Sequence, residues 1–237
     1  FSRLADRVFS EVGGLAQQML TPAGQLLTLQ EAARRVQGGL SAWKGLADKP
    51  ELLQEALRLI DECKTCAVAP ETLFAAAEES EDAVLAEKLS DLAQILTAYE
   101  RLCEESLPDP RDRLTHLRDR LAESHTLDGA AVYLDGFLGF TVQESAVVDA
   151  MLAAGVPLSA AVTCDTDYPE IFLTGCKTVQ KLTRMAKHHN QTVERIELGE
   201  SKVARPAGLA ALERESLLPV RTPQESADGV RLYEAAS

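Results

Sequence analysis

From Phe1 to about Ser124, apolar residues recur at steps of three and four, the period of helices that bury one face. Leu52, Leu53, Ala56, Leu57, Leu59 and Ile60 form one broad stripe behind Pro50. Proline suits a helix's first turn because its missing N–H has no intrahelical acceptor there. Over 81–105, the residues Leu85, Leu89, Leu92, Leu96, Tyr99 and Cys103 alternate steps of four and three. That is a seam for an antiparallel neighbour, too short for a free coiled coil. Asp109-Pro110 reads as an N-cap with proline behind it, opening a helix that carries Leu114, Leu117 and Leu121. Gly13-Gly14, Gly38-Gly39 and Pro108 punctuate these helices.

The pattern changes near Gly129. Ala130–Leu134 is a short continuous apolar run closed by Asp135-Gly136, the form of a buried parallel strand. Thr141 and Glu144 form a capping box for a helix with Val147, Val148, Met151 and Leu152, ending at Gly155. Leu158–Cys164 is expected as a second buried strand closed by Asp165, and Val193–Leu198 as a third. A helix with Val179, Leu182, Met185 and Ala186 lies between them. Strand–helix–strand–helix–strand implies half of a doubly wound parallel sheet. The expected fold class is α/β, predominantly helical. Its parts are a helix over 1–18, an all-helical insertion over 19–127, a parallel α/β part over 128–200, and a connecting helix and strand over 201–237.

Composition narrows the functional classes. The chain has 237 residues, 46% hydrophobic and only 5% aromatic, enough apolar content for a proper core. No stretch approaches the ~20 consecutive apolar residues of a membrane span. The formal net charge of −13 disfavours nonspecific duplex binding over the whole surface, so any nucleic-acid contact must be local. Five cysteines, an odd number in a chain that needs no staples, suggest a reducing, cytoplasmic setting. The chain opens at Phe1 and closes on 229–237, which reads as a strand without a following element, so a piece of a longer polypeptide is expected.

Candidate chemistry is sparse. In an open parallel sheet, ligands gather at the carboxyl ends of the strands, where Asp135 and Asp165 are expected. An apolar strand ending in Asp is how phosphate-loop ATPases hold magnesium, but Gly136 stands where a second, water-orienting acid belongs. A strand-terminal Asp opening a turn with Gly is the simpler reading. No G-x-x-x-x-G-K-[ST] loop occurs, which excludes an autonomous ATP site in these residues. Cys63 and Cys66 form a lone C-x-x-C with neither a second ligand pair for zinc nor a preceding strand for a redox motif, so it reads as two thiols at a helix end. Arg111, Arg113, Arg118 and Arg120 alternate with Asp112, Asp119 and Glu123, as on a solvated face. Lys177, Lys181, Arg184 and His188, with Lys187 beside them, share one helical face that could meet phosphate or simply solvent. Trp43 reads as a packing anchor.

Several blocks, in order along nearly the whole chain, resemble the AddB/RexB family, which supplies one of the two subunits of the bacterial ATP-dependent helicase/deoxyribonuclease. They are Phe1–Ala5 with Arg7-Val8 and Glu11–Gly14, then Ala47–Pro50, then Glu87–Leu92. The most specific is Tyr133-Leu134-Asp135-Gly136-Phe137 followed by Phe140–Glu144, and the last is Tyr233–Ala236. The resemblance implies a superfamily 1 helicase-like fold with a degenerate motor, of which this chain carries the second half of a P-loop-NTPase-like domain and its helical insertion. It further implies a heterodimer with an A subunit that carries the active motor and a second nuclease. Together the two resect double-strand breaks for recombinational repair, and the AddB-type subunit scans single-stranded DNA for a hotspot sequence. Any ATP/Mg phosphate loop would lie upstream of Phe1, and the nuclease with its 4Fe–4S cluster beyond Ser237.

By the same resemblance, Phe1, Arg3 and Phe137 border the single-stranded DNA channel, where rings stack on bases and a guanidinium holds phosphate. Asp135 with Gln143 matches the degenerate second motor motif, a vestigial nucleotide or magnesium side. Asp6 follows Ala5 where the family often has an aromatic, which removes a stacking surface and adds negative charge. Core packing is the competing reading of Phe1 and Phe137. A helical scaffold with a small α/β phosphate-ligand tail is the competing reading of the whole.

Overall fold

The computed structural model describes residues 1–14, 18–165, 168, 170–198, 205–215, 228–231 and 233. Four helices make the first core: α2 (Pro22–Val36), α3 (Pro50–Thr65), α4 (Pro70–Glu79) and α5 (Ala83–Glu105). Local signals start each of them. Proline opens α2, α3 and α4, the Thr21 hydroxyl accepts the Gly24 N–H, and the Asp82 carboxylate caps Val84 and Leu85. Leu29 and Ala33 of α2, Leu53 and Ile60 of α3, Leu73 of α4 and Leu92, Ile95, Leu96 and Tyr99 of α5 meet in one cluster, with Trp43 packed against it. The expected α5 seam is buried at Leu92, Leu96, Tyr99 and Cys103, but Leu89 is half-buried and Leu85 is 46% exposed, so the seam does not extend to the start of the helix. The α3 stripe is narrower than its sequence suggests. Leu53, Ala56 and Ile60 are buried, but Leu52 is 46% exposed, because it lies to one side of their shared face.

A second core joins α1 (Ser2–Val12) and α6 (Arg113–Leu121) to α7 (Val142–Ala153). Asp109 caps a 3-10 turn, Pro110–Asp112, that leads into α6. The Thr141 hydroxyl and Glu144 carboxylate form the expected capping box at the start of α7. This helix is apolar around much of its circumference and is buried accordingly. Val147 and Met151 enter the second core, while Val148 and Leu152 enter a third with Leu134.

The third core covers a sheet of two parallel strands, β1 (Val132–Leu134) and β2 (Leu158–Ala160), in register Val132↔Leu158. The helix α8 (Leu173–His188) packs Leu182, Met185 and Ala186 there, and α9 (Ala207–Glu215) follows. Three expectations are corrected here. The second strand spans 158–160 rather than 158–164. Neither strand is buried on both faces, since Tyr133 is 77% exposed and Ser159 and Ala160 are exposed too. Val193–Leu198 forms no strand, and Ile196 and Leu198 are exposed. A parallel strand exists through its ladder, and among the described residues none pairs with this run. The expected closing strand over 229–237 falls partly outside the described residues, and Val230, Arg231 and Tyr233 join no ladder. Among the described residues, no helix is long and apolar enough to cross a membrane.

Candidate functional site

The carboxyl end of β1 is where sequence-marked residues converge. Asp135 is exposed at the end of the strand, and Gly136 follows with φ 75°, a left-handed turn that a side chain would strain. The chain then folds back over the third core. Phe137 stacks on Phe140, with ring centroids 5.1 Å apart and planes inclined by 25°. Phe1, at the N-cap of α1, meets both edge-on, at 6.0 Å from Phe137 and 6.5 Å from Phe140. The structure thus brings together Phe1 and Phe137, which lie far apart in the sequence. All three rings are half-buried, so packing accounts for part of each ring and leaves part open.

Two anchors hold this loop. The Thr178 hydroxyl of α8 donates to the Leu138 carbonyl at 2.7 Å, and the Thr141 capping box fixes the other end. Arg3 stands two residues from Phe1 with its side chain exposed, and it forms no ion pair with the described residues.

Gln143 is placed differently from Asp135. Its amide donates to the Arg111 carbonyl at 3.0 Å and to the Thr115 hydroxyl at 3.3 Å, pinning α7 to α6. Asp135 is followed by a glycine turn, and no second carboxylate completes a cation-binding group with it among the described residues.

The basic clusters also separate. Arg118 and Arg120 are surface residues paired with Asp119 and Glu123. Arg111 and Arg113 turn inward instead, correcting the solvated reading for that half. Arg111 pairs with Asp61 and Asp109, and Arg113 pairs with Asp6 and lies over the Phe9 ring. On α8, Lys177, Arg184, Lys187 and His188 are exposed, and the helix holds no acidic residue. Lys181 bends inward to donate to the Ser145 hydroxyl of α7 at 2.5 Å. The inner face of α8, through Leu182, Met185 and Ala186, packs into the same core as Phe1, Phe137 and Phe140.

Of the C-x-x-C pair, Cys63 is buried and Cys66 is exposed at the C-cap of α3, as expected of thiols at a helix end. Burial pushes the Cys63 thiol up, away from the reactive thiolate. Sequence reasoning singled out neither Phe140 nor Thr178 as part of the site. Phe140 sits three residues beyond Phe137, a spacing that marked it within the motif without showing that the rings stack.

Comparison with known proteins is consistent across the chain. The family model described as "ADDB, N-terminal" matches residues 1–213. The B subunit of the ATP-dependent helicase/deoxyribonuclease from Desulforudis audaxviator is 35% identical over 251 aligned residues, covering 100% of this chain and 22% of that protein. The corresponding protein of Thermoanaerobacter sp. (strain X514) is 28% identical over 247, again covering 100% of this chain and 22% of that protein. That of Acetivibrio thermocellus is 32% identical over 200, covering 82% and 18%. The chain therefore spans about a fifth of the length of these relatives, and over residues 1–213 it belongs to the ADDB N-terminal family.

Proposed function

We propose that this chain is the part of an AddB-type helicase/deoxyribonuclease subunit that lines a single-stranded DNA path, and that it performs no catalysis itself. The observation that carries the reading is the cluster of Phe1, Phe137 and Phe140 beside Arg3, at the carboxyl end of β1. Half-open rings can stack on successive bases with little sequence preference, and exposed guanidinium and ammonium groups neutralise the phosphates between them. Arg3, two residues from Phe1, and the exposed basic residues of α8 are the candidates for those charges.

In this reading the parent protein works as a heterodimer with an A subunit in the cytoplasm, where it processes DNA double-strand breaks for recombinational repair. The helical part between 19 and 127 is an insertion in a helicase-like domain whose α/β part spans 128–200. Strand passage over the aromatic cluster would contribute to hotspot scanning. Asp135 and Gln143 are read as remnants of a motor motif. Gln143 spends its amide on α6, and Asp135 has glycine rather than an acid beside it, so these residues do not fit an ATP/Mg site and no phosphoryl chemistry is assigned to them. A 4Fe–4S cluster, where the parent has one, is not assigned to Cys63 and Cys66, of which the first is buried in the first core and the second is exposed at the end of α3.

The test is photo-crosslinking. Halogenated single-stranded DNA bound to the complete two-subunit enzyme should crosslink to the peptide that contains Phe137. Efficient crosslinks confined to other parts of the complex would overturn the reading.

A further inference from the structure

The closest pair of thiols in the described structure is not the one the sequence advertises. Cys164, beyond the end of β2, and Cys176, in the first turn of α8, are 12 positions apart, and their Sγ atoms stand 2.9 Å from each other. Cys176 also lies 3.5 Å from the Asp165 carbonyl oxygen, to which its S–H donates. Both cysteines are half-buried, which leaves them open to a small solute. Of the other three thiols, Cys63 and Cys103 are buried and Cys66 is exposed. Contact with Cys176 and then burial push the Cys164 thiol up as well, so the pair is set apart by its geometry.

The approach of the two sulfurs is built into the backbone. Gly175 is buried, and a Cβ on it would stand 1.9 Å from the Thr163 carbonyl oxygen. The first turn of α8 therefore rests directly on the chain leaving β2, with no side chain between. Thr178, in the next turn, holds the helix to Leu138, and Leu182 and Met185 anchor it further along. Residues 164 and 176 are thus held against each other by contacts that do not involve the thiols.

We propose that Cys164 and Cys176 form a redox modification site that closes to an intramolecular disulfide on reaction with a hydroperoxide and reopens with a thiol reductant. One thiol sulfur attacks a peroxide oxygen, the O–O bond breaks, and a sulfenic acid and one water result with hydrogen peroxide as oxidant. The second sulfur then displaces the sulfenic hydroxyl as a second water and forms the S–S bond. The sulfur pair loses two electrons, the peroxide gains them, and both thiol protons leave in water. The sulfurs need to approach by less than an ångström to reach the ~2.05 Å of a disulfide. The bond clamps the start of α8 to the exit of β2, next to the loop that carries Phe137. The site stands on the thiol geometry alone and does not depend on the DNA reading.

Peptide mapping tests this directly. The full chain is treated with hydrogen peroxide, alkylated, and digested with an endoprotease that cuts after Glu170, between the two cysteines. The expected product is a linked pair of peptides containing Cys164 and Cys176. Of the 5 thiols, those two are lost to alkylation and then recovered with dithiothreitol. In Cys164→Ser and in Cys176→Ser the linked pair disappears, and in one of the two the remaining cysteine is trapped as a sulfenic acid by dimedone; no trapping in either would overturn the proposal. In Cys63→Ser the linked pair is unchanged. Preferential oxidation of Cys66, a disulfide to any other cysteine, or oxidised protein in which both Cys164 and Cys176 remain alkylatable would overturn the proposal.

Discussion

The Tyr99 hydroxyl donates to the Asp109 carboxylate at 2.8 Å, and both side chains are closed off from solvent. This contact is the centre of a polar network that crosses the first core. Gln25 of α2 donates to the other Asp109 oxygen at 2.8 Å, the Arg111 amide donates to it at 3.0 Å, and Lys64 of α3 lies 3.9 Å away. Burial opposes the charge on Asp109, but the Arg111 amide, the Tyr99 hydroxyl, Lys64 and Gln25 outweigh it and hold the carboxyl below its ordinary range. Burial, reinforced by the Asp109 charge, pushes the Tyr99 hydroxyl well above its own. Tyr99 therefore remains a donor at all ordinary pH. Tyr99→Phe removes one donor to a buried charge and should cost about 1.5–3 kcal/mol in urea denaturation, with little change in the denaturant slope.

Lys64 is the more buried of the network's two cations, the other being Arg111. Its side chain is 6% exposed, and its ammonium contacts the Asp112 carboxylate at 2.6 and 2.7 Å. Lys64→Met leaves Asp112 without its counter-charge and Asp109 with Arg111 alone, and should cost about 3 kcal/mol. Adding Asp112→Asn should return part of that loss, because it removes the stranded charge. A double-mutant cycle measures the coupling, and purely additive losses would contradict the network.

Acid stability has a separate source. Glu11, near the end of α1, accepts hydrogen bonds from the Ser124 hydroxyl at 2.5 Å, the His125 N–H at 2.8 Å and the Thr126 hydroxyl at 2.8 Å. These three donors lower its carboxyl from 4.5 to about 2. Because the folded value lies below the unfolded one, the tie between α1 and 124–126 is at full strength above pH 4.5 and is lost as pH falls through about 2. Glu11→Gln should melt at a lower temperature than the parent at neutral pH, and the gap should close across that window. A gap independent of pH would contradict the assignment.

Local chemistry made much of this fold legible. The Thr141–Glu144 capping box and the Asp109-Pro110 start both depend on neighbours within a turn, and each stands where its residues indicate, while the α5 seam is buried from Leu92 onward but not at Leu85. Features that depend on distant partners were not legible. Val193–Leu198 has strand composition, but composition supplies no ladder. The Asp91 carboxylate caps the loop N–H groups of Ser41 and Trp43 from 50 and 48 positions away, and no spacing rule connects them. The same holds at the candidate site. Phe137 and Phe1 could be singled out one by one, whereas the stacking of Phe140 and the Cys164–Cys176 contact arise only when β1, β2 and α8 assemble.

The central claim is that the half-open rings at the end of β1 hold single-stranded DNA. Phe137→Leu retains apolar volume in the third core while removing the aromatic face. The decisive measurement is the affinity of the complete two-subunit enzyme for a labelled single strand, by fluorescence anisotropy at fixed salt without nucleotide, for the parent and for Phe137→Leu. Loss of one base–aromatic stack predicts a weakening of about 1–3 kcal/mol with an unchanged salt slope. Equal affinity in a correctly folded Phe137→Leu enzyme would contradict the account.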